Sequence, residues 1–180
     1  MRETWYGILL KYIFLILLVL IVGNWAIAHI SFNSTDVTDM VNMDKGQIEE
    51  ILQISMMENS DMAKRITQYS KGKLTVDGEK GIGVAYIDGV RAGLHIDNKK
   101  YSMYNIHIGD TQQTAEDEMT YVYDNSFTVL KDLYQSNITV VFYVNQRQND
   151  CLVVVYNNYS NKIMAVTYFN NADKATERLG

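Results

Sequence analysis

Proline is absent from this 180-residue chain, cysteine occurs once, histidine three times and tryptophan twice. Without proline the chain has no cis-proline turns and no polyproline linker. The single cysteine, Cys151, rules out an intrachain disulfide, so any domain here is held by its own core. Basic side chains are also short, with 16 Lys and Arg against 21 Asp and Glu and a net charge of −5. Arg2, Lys11 and Glu3 fall in the first 28 residues, which leaves 14 basic and 20 acidic side chains beyond them, a balance of −6. A chain of that sign repels phosphate backbones, and no basic stripe offsets it. Nucleic acid is not an expected partner.

What is present is ordinary for a folded domain: 47% apolar and 21% charged residues. The 13 tyrosines suit strands that bury one side of a ring and wet its hydroxyl.

The N-terminus carries one long apolar run, "KYIFLILLVLIVGNWAIAHI" (11–30), which starts in earnest at Tyr12 and reaches Ile30. About 20 helical residues cover about 30 Å, the thickness of a bilayer core. Trp5 and Trp25 stand near its two ends, where interfacial aromatics belong. Arg2 and Lys11 precede the run, and Asp36, Asp39 and Asp44 follow it. The positive-inside bias then predicts a single-pass signal anchor over residues 1–30, in the membrane through Tyr12 to Ile30. Its N-terminus would be cytoplasmic and the rest extracytoplasmic. The alternative is a cleaved signal peptide, since "AIA" at 26–28 has the form of a cleavage site and would release a secreted chain after Ala28.

Residues 31–43, "SFNSTDVTDMVNM", read as a stalk, and 44–180 as the domain. Asp44 with Gln47 offers a capping box. Ile48, Ile51, Leu52, Ser55, Met62, Ile66 and Tyr69 then recur at helical spacing, with "ENSD" (58–61) a break into two helices and Gly72 a stop. From residue 83 the period changes to two. "GVAYIDGVRAGLHID" (83–97) is a hairpin turning at Asp88-Gly89, with Leu94 and Ile96 on one face and His95 on the other. "YNIHIG" (104–109) is a further strand with His107 outward, and 112–119 a short helix. "ITVVFYVN" (138–145), "CLVVVYNN" (151–158) and "KIMAVTYFN" (162–170) form a meander whose middle strand is apolar on both faces, and 171–180 is helical or frayed. The expected fold class is α+β: an N-terminal transmembrane helix, then one or two helices packed on an antiparallel sheet with a hairpin and a C-terminal three-strand meander.

The stretch "NIHIGDTQQTAEDEM" (105–119) invites a catalytic reading, but it lacks the glycines and lysine of a phosphate cradle and the glycines of a nucleophile elbow. Asp110 or Thr111 as a cap, with Glu116, Asp117 and Glu118 early in the helix, accounts for it structurally. Ile108-Gly109-Asp110-Thr111 with Ala115 and Met119, followed by a three-strand meander, resembles the CAP-associated N-terminal domain, a small extracytoplasmic α+β module of Gram-positive bacteria. The resemblance covers roughly residues 84–170. It implies a fold and a compartment and brings no catalytic residues with it. The chain departs from the pattern in having Met119-Thr120 where such modules carry "L-G-x-P", and no CAP domain follows before Gly180.

Other chemistry is thin. Cys151 with His95 or His107 could pair as thiol and base, but Cys151 opens an apolar strand, and no arginine follows it in the manner of a sortase. His95 and His107 would share an outward face on adjacent strands, yet no third metal ligand accompanies them. "VDGEKG" and "YIDGV" are turns rather than calcium loops. Tyr101, Tyr104, Tyr121, Tyr123, Tyr134, Tyr143, Tyr156, Tyr159 and Tyr168 could line a glycan or peptide surface. Asn33, Asn137 and Asn158 open N-x-S/T sequons. No catalytic, cofactor or metal site is expected. The expectation is a membrane-anchored extracytoplasmic binding or accessory module with a protein or cell-wall partner. A pilin-like subunit and a cell-envelope hydrolase are the alternatives.

Overall fold

A computed structural model describes residues 13–17, 34–67, 74–122, 127–133 and 137–179. The chain divides into two units, residues 1–33 and 34–180. In the first, residues 13–17 are helical and exposed.

The second unit is built on an eight-stranded antiparallel sheet made from two meanders. The first comprises β2 (Met57–Glu58), β3 (Leu74–Glu79), β4 (Ile82–Ile87) and β5 (Val90–Ile96). The second comprises β8 (Phe127–Leu133), β9 (Ile138–Asn145), β10 (Asp150–Asn157) and β11 (Lys162–Phe169). Their order is β2-β3-β4-β5-β11-β10-β9-β8, so pairing of β5 with β11 joins the two. A smaller sheet holds β1 (Thr35–Asp36), β6 (Tyr101–Met103) and β7 (Ile106–His107), with β1 parallel to β6. Among the described residues four helices complete the unit: α1 (Lys45–Leu52), α2 (Ser60–Thr67), α3 (Gln112–Val122) and α4 (Ala172–Leu179).

Turn chemistry sets the strand order. Lys80-Gly81 and Asp88-Gly89 take positive φ at both positions, as two-residue hairpin loops require to match strand twist. The longer β9–β10 and β10–β11 loops are nucleated by asparagine. Asn145 Oδ1 accepts from the Arg147 and Gln148 amides, and Asn157 Oδ1 from the Tyr159 and Ser160 amides.

The junction of the meanders depends on Gly93. A Cβ there would run into the carbonyl oxygen of Tyr168 and lie 3.2 Å from Phe169 Cα. Only a residue without a side chain lets β5 and β11 close at this point.

Both faces of the large sheet are covered. On one, Val84, Leu94, Ile96, Leu152, Val154 and Val166 meet a cover drawn from the 3-10 turn Thr38–Met40, α1, β6, β7 and α3. On the other, Val76, Ala85, Phe142, Cys151, Val153 and Phe169 meet α2 through Met62 and α4 through Ala172 and Ala175. The Met62 sulfur lies in a hollow over two facing glycines, since a Cβ on Gly78 or Gly83 would come within 2.7 Å of it.

These observations correct the expected fold class. In place of an α+β chain with helices on one sheet, strand outweighs helix, there are two sheets, and the larger is covered on both faces. The transmembrane signal anchor is also corrected: among the described residues no helix is long and apolar enough to cross a membrane. Of the run, residues 13–17 are described. The rest of Tyr12 to Ile30, and Ala28, lie outside the described residues. The stalk reading of 31–43 changes as well. Within that polar stretch Val37, Met40 and Val41, spaced by three and four, are buried in the core, and Thr35 and Asp36 pair with β6. The helical run from Asp44 ends early because Gln53 turns left-handed. Asn59 then restarts it, its Oδ1 accepting from the Met62 amide at 3.0 Å.

Candidate functional site

Cys151 lies on β10 between Val144 and Phe169 and is fully buried. Burial pushes its thiol up to about 12, and the Asp150 charge beside it adds to the rise. A thiol held there is protonated at neutral pH and is neither nucleophile nor metal ligand. Histidine gives no help. His95 pairs across β11 with Thr167, so β5 and β10 are two strand spacings apart, about 10 Å. That exceeds the hydrogen-bond reach a thiol and its base need.

His95 does not stand outward. It is 1% exposed, because the face opposite Leu94 is itself covered. Its Nδ1 is 2.8 Å from Thr167 Oγ1, while Nε2 is 3.7 Å from Asp97 Oδ2 and makes no hydrogen bond. Thr, His and Asp thus stand in the order of a charge relay. Thr167 is also 1% exposed, however, so no substrate reaches its hydroxyl. His107 belongs to the smaller sheet, not to a strand beside His95, which corrects the shared-face expectation. Half exposed, it places Nδ1 3.3 Å from Asp110 Oδ2.

The "IGDT" stretch is an attachment point. Gly109 N donates to Ile163 O, and Ile163 N to Asp110 O, fastening the end of β7 to β11. Thr111 Oγ1 accepts from the Thr114 amide at 3.3 Å and caps α3.

The tyrosines mostly face inward as well. Tyr101, Tyr143, Tyr156 and Tyr168 are buried on the face that carries Leu94. Tyr143 and Tyr156 hydroxyls meet at 3.1 Å, and Tyr168 donates to Asp150 Oδ2 at 3.1 Å. Burial raises both members of the first pair. It also raises Tyr168, with the Asp150 charge next, and raises the Asp150 carboxyl itself. Tyr104 holds φ +51, unusual for a bulky side chain, with its ring 6.2 Å from that of Tyr168 and its amide donating to Thr38 Oγ1. Tyr159 is the open one, 82% exposed at the β10–β11 tip. The side chains of Tyr121, Tyr123 and Tyr134 lie outside the described residues, as does Asn33. Asn137 and Asn158 sit in turns.

The residues that sequence reasoning passed over surround a cleft of about 250 Å³ at one end of the sheet. Ile87, Val90, Arg91 and Ala92 line it from the β4–β5 hairpin, and Asn171 and Lys174 from the start of α4. Asn170 N donates to Ala92 O, and Arg178 Nη2 reaches Asp88 Oδ2 at 3.1 Å, so hairpin and helix are tied on both sides. Arg91 is half-buried. Its Nη2 donates to Val41 O at 2.7 Å, whereas its Nε is buried without a partner. Burial lowers its pKa, and the Tyr86, Tyr168 and Asp44 charges oppose that. Among the described residues neither Arg91 nor Lys174 makes an ion pair. One arginine in an alternating strand gives no sign of this, because a missing counter-charge is a property of the folded chain.

Among the described residues no group of three metal-ligating side chains could hold an ion, and the "VDGEKG" and "YIDGV" segments are strand and hairpin turn. No family model matches this sequence, and no curated protein or solved structure matches it.

Proposed function

We propose that this chain is a binding or accessory module that acts through its surface on a protein or cell-wall partner and carries out no chemistry of its own. One observation supports this above the rest. Cys151 and His95, the side chains best suited to covalent or acid–base work, are 0% and 1% exposed within the sheet. His95 Nδ1 is taken up by the Thr167 hydroxyl inside the sheet, and burial holds the thiol protonated. The accessory role also accords with the resemblance to CAP-associated domains.

The test is the alkylation rate of Cys151 in the folded full-length chain as a function of pH, alongside cosedimentation with purified cell-wall fragments and crosslinking to envelope proteins. The expected result is a thiol that reacts only as denaturant opens the fold, together with recovery of one recurrent partner. Rapid modification under native conditions, with a midpoint below the ordinary thiol value of about 8.5, overturns the reading in favour of a nucleophile.

A further inference from the structure

We propose that the tip formed by the β10–β11 loop and the entry to β9 binds a sugar ring of a neutral, N-acetylated polysaccharide, with Tyr159 as the stacking surface and asparagine amides as the donors. This deepens the binding-module reading and rests on it.

The argument starts from Tyr159. Tyr101, Tyr143, Tyr156 and Tyr168 are at most 4% exposed, whereas Tyr159 is 82% exposed. Asn157 Oδ1 holds its backbone amide at 3.0 Å, yet among the described residues its hydroxyl has no hydrogen-bond partner and its ring no aromatic neighbour. A large ring fixed at its backbone and open on its faces is a platform for another flat, partly apolar body. The C–H face of a pyranose is such a body.

The loop beneath that ring is braced. Asn157 Oδ1 also accepts from the Ser160 amide at 3.0 Å, which is enough to make the reversal. Two further bonds tie the loop to β9: Asn158 N donates to Asn137 O at 2.9 Å, and Thr139 Oγ1 to Asn158 Oδ1 at 2.8 Å. The side-chain bonds at Asn157 and Asn158 use the oxygen, so each amide is oriented and its NH2 group is left unspent among the described residues. Asn137 and Asn161, both exposed and both at positive φ, carry two more amides with no side-chain hydrogen bond among the described residues. An aromatic anchor among Asn and Ser is the composition of antibody binding loops, and bracing lowers the ordering cost of binding.

Charge and size select the ligand. Residues 137–139 and 157–162 include one cation, Lys162, and no carboxylate. A stable protein interface uses roughly 20–30 residues a side, far more than this tip presents. A sugar ring needs one platform and a few donors. Because the unspent groups are N–H donors, an acetamido carbonyl suits them better than a further hydroxyl does. One such site is weak by itself, and a repeating polysaccharide makes up the difference by avidity.

Amide-resolved NMR of the full chain tests the assignment, with N-acetylated chitotriose, maltotriose and triglycine as probes. Chitotriose is expected to shift the amides of Asn137, Asn158, Tyr159, Ser160 and Asn161 saturably, with maltotriose weaker and triglycine inert. Tyr159→Ala, at an open surface position, is expected to weaken chitotriose about tenfold, while Tyr159→Phe keeps the ring and stays within about twofold. Asn158→Asp keeps the acceptor for Thr139 and removes the NH2 donors, and a loss of about tenfold is expected there too. Three outcomes overturn the proposal: no saturable shift with chitotriose, Tyr159→Ala binding like wild type, or equal shifts with triglycine, which would make the tip a peptide site. Maltotriose binding as tightly as chitotriose overturns the acetamido assignment. If the tip fails while Cys151 stays unreactive, the ligand class falls and the module reading stands. A reactive Cys151 overturns that reading whatever the tip does.

Discussion

On one face of the large sheet the cover is assembled from five short pieces of chain, whereas on the other it is two eight-residue helices. The first face is filled by large side chains and tied by hydroxyls, Tyr143 to Tyr156 and Tyr168 to Asp150. On the second, helix α2 is seated by a methionine over glycines. One face therefore stands or falls by volume and buried hydrogen bonds, and the other by how closely backbones and helices approach. The β5–β11 junction serves both.

That junction carries the largest expected effect. Gly93→Ala places a methyl group against the Tyr168 carbonyl, a backbone atom that cannot swing aside as a side-chain end can. The expected loss is about 3 kcal/mol or more, read as a lower urea midpoint, with the two meanders separating in hydrogen exchange. If Gly93→Ala unfolds at the wild-type midpoint, the two halves are not joined at this point.

The next test separates the faces. Gly83→Ala brings a Cβ within 2.6 Å of Val76 Cγ1, on a stiff buried side chain, and 2.7 Å of the Met62 sulfur, on a flexible one. A loss of about 2 kcal/mol is expected. Because Met62 is the neighbour that yields most readily, Met62→Ala together with Gly83→Ala should cost less than the two singles combined. Strict additivity in denaturant titrations would show that α2 is held by something other than this seat.

Parts of the fold were legible because they rest on local chemistry. Asp88-Gly89 supplies the positive φ a tight hairpin needs, Asp44 with Gln47 forms the capping box, and three alternating runs are β9, β10 and β11. What escaped depends on distant partners. Val37, Met40 and Val41 are too few to stand out among Ser, Thr, Asn and Asp, and β1 has two residues whose pairing lies at Tyr101 and Ser102. The period of two put His95 opposite Leu94, which is where it lies. Whether that opposite face is wet depends on α2 and α4, and no alternation reports on a cover. The same limit hid the cleft. Arg91 looks like any outward strand residue until Val41 O is seen as its one acceptor.

A smaller effect probes the hydroxyl ties. Tyr156→Phe leaves the Tyr143 hydroxyl buried with one partner fewer, and about 1 kcal/mol is expected to be lost. Adding Tyr143→Phe should cost less than a second such loss, because both ends of the bond are then apolar. If the double variant loses the full sum, the hydroxyls are each tied more strongly to other groups than to one another.

The smallest expected effect is a slope. Burial holds the Asp150 carboxyl above its ordinary value, the Tyr168 hydrogen bond offsetting part of that rise. A carboxyl whose pKa is higher folded than unfolded binds its proton more tightly in the fold. Its contribution to stability is fully present below the unfolded value of about 3.9 and is lost as pH rises through the raised folded value. Asp150→Asn keeps an acceptor for Tyr168 and removes the charge. At neutral pH the variant is expected within about 1 kcal/mol of wild type, or above it, because a buried charge has been replaced by an amide. The gap between variant and wild type should then close, or reverse in favour of wild type, as the pH falls towards 4. The reverse trend, a variant that gains on wild type on acidification, would mean that ionised Asp150 is a net tie for the better-filled face.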